Sequence, residues 1–294
     1  MPVPLHLVIH GKEMRTGALG VFEGHAQGLS RTMLLDREAG SVHVGYSIAE
    51  LAPGGTVDRA IHAFEKTIYV LSGELQLERD GTLIRLARDD YALVPTGTPH
   101  ALRNAGGEVV RWVEVSTPQP KPAGGWRDTF FVESLDWGKL FEAPPPGDPR
   151  RKLVGHHDGT MPPGAHMHGD LHGFSIRYFV DRDFGAIHLN MFTVEFAKGG
   201  ICNHHDHPFE EAYLVLDGDV DIVFDGRSYT LQRGDFAWTG VGSRHAFFPV
   251  EGRPVRWLEI QAPQPPAQGG MRWHSRWEEL ARLIDGETKA KKSA

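Results

Sequence analysis

Along most of the chain, short runs rich in Val, Ile, Leu, Tyr and Phe are cut at nearly regular intervals by Gly, Pro and Asp. Side chains of an extended strand alternate between two faces, so short runs with frequent turn residues predict an antiparallel sandwich or barrel. Two stretches read as hairpins closed by Asp-Gly: ELQLERDGTLIRL from Glu74 and DVDIVFDGRSYTL from Asp219. That pair tolerates the positive φ of a type I′ turn, whose twist matches the strands it joins. Helix is expected in one place only. In WHSRWEELARLIDG, Ser275 and Glu278 have the spacing of a capping box, while Trp273, Trp277, Leu280, Ala281 and Ile284 share a face and Gly286 ends the run. This face predicts a helix packed on the outside of a barrel.

A second pattern lies over the first. Adding 145 to a residue number between about Gly24 and Leu135 gives its counterpart in the other half without a gap. GLSRTMLLDREAGSVHV from Gly28 lies over GFSIRYFVDRDFGAIHL from Gly173, and RWVEVSTPQP from Arg111 over RWLEIQAPQP from Arg256. The turn glycines Gly54, Gly55 and Gly73 meet Gly199, Gly200 and Gly218. The chain is a tandem duplication, and the prolines of APPPGDPRR, from Ala143, mark the linker. Two domains follow, residues 1–147 and 148–294.

Composition narrows the function classes. A chain of 294 residues, 40% hydrophobic, is long enough for two buried cores, and a formal net charge of -7 gives no basic footprint for nucleic acid. The N-terminal MPVPLHLVIHGKEM lacks an apolar core of signal-peptide length and no stretch approaches a membrane span, so a cytoplasmic address is expected. Cys202 is the single cysteine, which rules out an intrachain disulfide.

Candidate chemistry concentrates in GGICNHHDHPFEEAYLVLDG, residues 199 to 218. Residues two or four apart on a strand point to one face, which gives His205, His207 and Glu211 a common direction. After the following hairpin, His245 stands just past a Gly-rich bend, able to face the first three across a barrel. Three imidazoles and a carboxylate suit one divalent transition metal, and they leave positions open for water, substrate or dioxygen. Tyr213 and Phe247 share parity with the ligands they follow and are expected to line the cavity, the phenol as a hydrogen-bond or proton donor. Trp238 and Arg244 are expected near its mouth or wall, and Arg177, if inward, could clamp a carboxylate. Glu259 and Arg256 recur as Glu114 and Arg111, which points to a role in the fold.

These residues resemble the cupins. The first cupin motif is met by Gly199, His205, His207, Glu211 and Gly218; the second by Gly234, Gly242 and His245, with Gly240 and Pro249 in place of its Pro and Asn. The resemblance implies an all-β bicupin, two tandem double-stranded β-helix (jelly-roll) barrels, here with the short C-terminal helix. It also implies a metalloenzyme acting on a small polar molecule, most often an Fe(II) dioxygenase, with Mn, Ni or Zn as other metals and a homo-oligomer as the assembly. A non-redox hydrolase, lyase or isomerase and a non-catalytic ligand-binding bicupin are the alternatives. The layout around FEKTIYVLSGEL, from Phe64, is similar to ureidoglycine aminohydrolases, although only His207 of the present ligand set falls on a ligand of those enzymes.

In the first half His62 and His100 stand at two ligand positions, but Ala60 and Lys66 replace the other two. A lysine ammonium there repels a cation, so this barrel is expected to be metal-free and kept for packing or oligomerisation, with binding of an anionic effector as the second reading. His166, His168 and His172 lie in a Gly- and Pro-rich stretch read as a solvated linker or lid. Restoring Ala60→His together with Lys66→Glu should raise metal content from about one to about two ions per chain, whereas Ala60→His alone should not. Elemental analysis of the purified variants checks this, and a double variant that folds yet gains no metal refutes it.

Overall fold

A computed structural model describes residues 5–121, 127–145, 148, 151–163, 165–167, 171–250, 253–266 and 270–274. The predicted helix face beyond Trp273 lies outside the described residues; Trp273 itself stands on a two-residue strand, Arg272–Trp273, and not on a helix. Among the described residues no helix is long and apolar enough to cross a membrane. The architecture is two curled jelly-roll sheets, one for each repeat. Both Asp-Gly hairpins form, with Asp80 and Gly81 at φ 49° and 80° and Asp225 and Gly226 at 48° and 79°.

Each sheet is organised by one long strand, Gly45–His62 or Asn190–Asp206. The first part of Asn190–Asp206 pairs with Val255–Ala262, and its last part with His245–Pro249. The Gly-Gly pair makes this change of partner possible. Gly199 has φ 76°, and a Cβ on Gly200 would lie 2.6 Å from the Gly173 carbonyl oxygen. Only glycines accept both conditions, so the strand bends there and carries His205 and His207 across the barrel.

Alternation decides what the next strand, Glu210–Asp217, does with its two acids. Glu211 points into its own barrel, whereas Glu210 points out into the other repeat. There its carboxylate accepts from the backbone N–H of Val42 (2.8 Å) and His43 (3.3 Å) and from the Ser41 hydroxyl (2.6 Å). Its counterpart Glu65 accepts from the N–H groups of Ile187, His188 and Leu189 at 2.9, 2.8 and 3.1 Å. Gln119 and Gln264, one in each repeat's PQP, brace the same two loops by donating to their carbonyls. Around this reciprocal clamp an apolar cluster drawn from both repeats, including Tyr46, Val113, Met191, Leu258 and Trp238, seals the barrels together.

The edges are exchanged as well. His6–Ile9 pairs with Phe236–Thr239 of the second barrel, and Val154–His156 pairs with Asp90–Val94 of the first. Matching His–Asp hydrogen bonds sit at the end of each exchanged strand, His10 with Asp235 (2.9 Å) and His156 with Asp90 (2.8 Å). The His-rich stretch is partly strand: Ala165–Met167 pairs with Leu171–Val180, on which His172 lies opposite Ile201. This corrects the linker-loop expectation for His166 and His172, while His168 lies outside the described residues. Hydrogen bonding to neighbouring strands, invisible to a Gly and Pro count, makes the difference.

Removing one acceptor oxygen from a buried carboxylate that takes three donors should cost about 3 kcal/mol. Glu65→Gln and Glu210→Gln are each expected to lower the thermal midpoint by roughly 6 °C or more, read by calorimetry. A change below about 1 °C in both would remove the clamp as a stabilising element.

Candidate metal centre

His205 and His207 come from the end of Asn190–Asp206, Glu211 from Glu210–Asp217, and His245 from the start of His245–Pro249. Cross-strand pairing sets His205 directly opposite His245. The four side chains converge. Ligand atoms of the three histidines lie within 4.8 Å of one another, and Glu211 Oε2 is 2.9 Å from His207 Nε2 and 3.2 Å from His245 Nε2. All four residues are buried.

The other ring nitrogen of each histidine explains this arrangement. His205 Nδ1 faces the carbonyl oxygen of Asn203 (2.9 Å), His207 Nδ1 that of Phe209 (2.8 Å) and His245 Nδ1 that of Ser243 (2.9 Å). A carbonyl only accepts, so it fixes the proton on Nδ1 and leaves Nε2 as a lone pair. His207 is also stacked on Phe209, 3.8 Å between centroids with the rings 1° from parallel. The Nε2 atoms of His207 and His245 are buried and have no hydrogen-bond partner among the described residues, despite their closeness to Glu211. Lone pairs and a carboxylate oxygen crowded together without hydrogen-bond geometry are the donor set of a cation site, and they fit a divalent transition metal.

Electrostatics keep His205 neutral and Glu211 ionised and draw His207 up: burial lowers its imidazole, but the charge of Glu211 outweighs it, the pull that a bound cation would take over. Burial keeps His205 neutral, its pKa well below the usual imidazole value. At Glu211 burial pushes the carboxyl up, but His207 and His245 together outweigh it and hold the group well below the usual carboxylate range. The second oxygen of Glu211 accepts from Gln261 Nε2 at 2.8 Å, and the hydroxyl of Tyr213 donates to Oε2. Thr239 Oγ1 lies 3.1 Å from that hydroxyl and completes the chain as its donor. Burial, then the charges of Glu211 and Glu259, keep the Tyr213 phenol protonated. Burial and Glu211 likewise raise Glu259, which accepts from Trp257 Nε1 (2.9 Å) and from Gln261 (3.3 Å).

Phe247 packs beside this network, 5.2 Å from both Tyr213 and Trp257 and 5.6 Å from His245 between ring centroids. Three other expected site residues lie elsewhere. The register sets Glu211 opposite Thr239, so Trp238 faces the other way, into the inter-barrel core. Arg244, next to inward His245, is exposed by the same alternation. Arg177 contacts Thr160 (3.2 Å) and Asp158 (3.9 Å) and so ties down the segment after the linker. Cys202 lies 3.5 Å from His205 on the Nδ1 side, behind the ring.

Gln261, Thr239 and Trp273 escaped the sequence reading. Trp273 sits opposite His205 in strand pairing, 5.1 Å between rings, and covers that side of the cluster. For Gln261 and Thr239 a signal existed in the repeat: Ser116 and Val94 are their twins, as Ile68 is the twin of Tyr213. The half that lacks two of the four candidate ligands also lacks the polar groups that orient Glu211.

Comparisons with known proteins converge on one family. The cupin domain family model matches twice, at residues 47–116 and 192–261. A stretch of 112 residues is 34% identical to the tetracenomycin polyketide synthase protein TcmJ of Streptomyces glaucescens, covering 37% of this chain and 75% of that protein. Polyketide synthase CurC of Streptomyces cyaneus is 32% identical over 101 residues, 34% of this chain and 66% of its own. Among solved structures, a glyoxylate-induced protein of Pseudomonas aeruginosa superposes with TM-score 0.66 at 20% identity, covering 92% of this chain and 93% of that one. Oxalate decarboxylase of Bacillus subtilis gives TM-score 0.61 at 15% identity, over 88% of this chain and 77% of its own. With both repeats matched and both built as jelly-roll barrels, the chain belongs to the cupin superfamily as a bicupin.

Proposed function

We propose that the second barrel holds one divalent transition metal on His205, His207, Glu211 and His245 and works as a mononuclear non-heme iron dioxygenase. The observation that carries this reading is the cluster of three buried histidines, each with Nδ1 against a backbone carbonyl, with Glu211 Oε2 beside Nε2 of His207 and His245. Iron is favoured because imidazole and carboxylate suit it, with Mn, Ni and Zn as alternatives. The metal, when bound, would supply an open-sided Lewis-acid and redox centre for a deprotonated substrate and dioxygen.

The chain's own residues shape the rest. Tyr213 and Gln261 grip both oxygens of Glu211 and fix its orientation. The Tyr213 phenol, kept protonated, is a hydrogen-bond donor at the edge of the cluster. Phe247, Trp257 and Tyr213 form an apolar aromatic wall that excludes water and suits a flat, unsaturated substrate. That the two identified relatives are named as polyketide synthase proteins supports an aromatic or poly-keto substrate, whose acidic hydroxyl or enol is readily deprotonated. A carbon–carbon lyase is the second reading. It is favoured by Glu259, a buried carboxyl held neutral next to Gln261 and so able to give a proton, and by the likeness in fold to oxalate decarboxylase.

Metal analysis of anaerobically purified protein should find about one ion per chain, with His207→Ala and His245→Ala losing it. Tyr213→Phe should keep the ion with affinity lowered roughly 10- to 100-fold, since it removes only a group that orients a ligand. Equal metal in wild type and His207→Ala refutes the site. For the reaction, an oxygen electrode is expected to record uptake in proportion to product on phenolic or keto-acid candidates. Turnover undiminished under argon would transfer the assignment to the lyase reading.

A further inference from the structure

The first barrel keeps the frame of its twin and reverses the polarity of its interior. Ala60 lies opposite His100 as His205 lies opposite His245. In the place of Glu211 stands Lys66, its side chain 3% exposed and its Nζ 3.4 Å from Glu114 Oε2. Arg31 enters the same pocket, holds the other oxygen of Glu114 at 3.1 Å and donates to Ser47 at 3.0 Å. Both cations also lie over the Phe22 ring, at 5.4 and 5.6 Å. Two cations therefore share one buried carboxylate. The other acid lining this pocket, Asp58, is half-exposed and pairs with His25 at the surface. Excess charge taken out of water is costly unless a counter-charge accompanies it.

The imidazole of His62 has been turned to the same purpose. Its Nδ1 faces the Thr129 hydroxyl at 2.9 Å, where its twin His207 faces a carbonyl. A hydroxyl can donate, which lets the imidazole proton sit on Nε2. That Nε2 is buried and has no hydrogen-bond partner among the described residues. Burial first, and then Lys66, keep His62 uncharged, so it offers this one N–H and no more. His100 retains a carbonyl partner, Thr98 at 3.2 Å, and burial with Lys66 brings its pKa down to about 3. Burial draws the Lys66 amine down and Glu114 holds it up, so the pocket presents this amine beside Glu114, a guanidinium and an imidazole N–H.

We infer that the first barrel binds one small monovalent anion, of chloride size, between Lys66, Arg31 and Nε2 of His62. The free space at the pocket has room for about one water-sized sphere, so a monatomic ion fits it better than a tetrahedral oxyanion such as sulfate. This inference does not rest on the metal reading of the second barrel.

The test replaces sodium gluconate by sodium chloride at constant ionic strength while the thermal midpoint is followed. A saturable rise of about 2–4 °C is expected, and no such rise with sulfate. Crystals soaked in sodium bromide should show an anomalous peak beside Lys66. Lys66→Met, of similar length but uncharged, should abolish both signals, and Thr129→Val should weaken chloride about tenfold by removing the hydroxyl that sets the His62 tautomer. Equal midpoints of the wild type in the two salts, no bromide peak in this pocket, or a rise that Lys66→Met retains would each overturn the proposal. The bromide experiment needs only the wild-type protein, so it decides even if the variants fail to fold.

Discussion

Two neighbouring carboxylates on one strand hold the molecule in register. Glu210 is gripped by donors of the opposite repeat and Glu211 faces the histidines of its own. Because a strand alternates with a period of two, a slip of one residue would bury Glu211 against the other barrel and leave Glu210 in the candidate site. Neither would find its partners. Losing these donors, the buried Ser41 hydroxyl among them, makes the wrong register costly, so the contact between the barrels also fixes the direction of a proposed ligand. The first repeat obeys the same constraint with Glu65 outward and Lys66 inward. A site inside one barrel is thereby positioned by hydrogen bonds that lie between the two.

Much of this was legible in the chain because strands write their geometry with a short period. The hairpins at Asp80-Gly81 and Asp225-Gly226 and the parity of His205, His207 and Glu211 follow from local spacing, and the repeat from one constant offset. Trp238 shows where local spacing stops. Both faces of its strand are buried, one toward the barrel interior and one toward the other repeat, so an aromatic residue is equally at home on either. Only the pairing of Thr239 with Glu211 reveals which face is which. Trp273 and the exchanged strand His6–Ile9 were hidden for a related reason: their partners lie far away in sequence, and a short segment carries no mark of the sheet it will join.

The twin barrels also show how little a polar site needs to change its sign. Their backbones pair alike, and His62 and His100 match His207 and His245. Around them, Tyr213, Thr239 and Gln261 of one barrel become Ile68, Val94 and Ser116 of the other, while Ile176 becomes Arg31. Glu259 stands among neutral hydrogen-bond partners, whereas its counterpart Glu114 lies between two cations. The partner of a single ring nitrogen, carbonyl for His207 and hydroxyl for His62, decides whether the opposite nitrogen can act as a lone pair or as a donor.

The exchanged edge strands bear on how such a chain arose. Reciprocal arms and a reciprocal carboxylate clamp are what a homodimer of single barrels has about its two-fold axis. The 112 residues shared with the tetracenomycin protein make up 75% of that relative, which is therefore about one repeat long. Joining two such copies end to end turns an association between molecules into one within a chain, with no dilution to oppose it. After such a duplication the interior of either copy can change while the interface still demands its shape. Under those terms the clamp residues are held fast, Glu65 with Glu210 and Gln119 with Gln264, while the loops they grip keep His43 and His188 but otherwise differ, since it is mainly their backbone that is read.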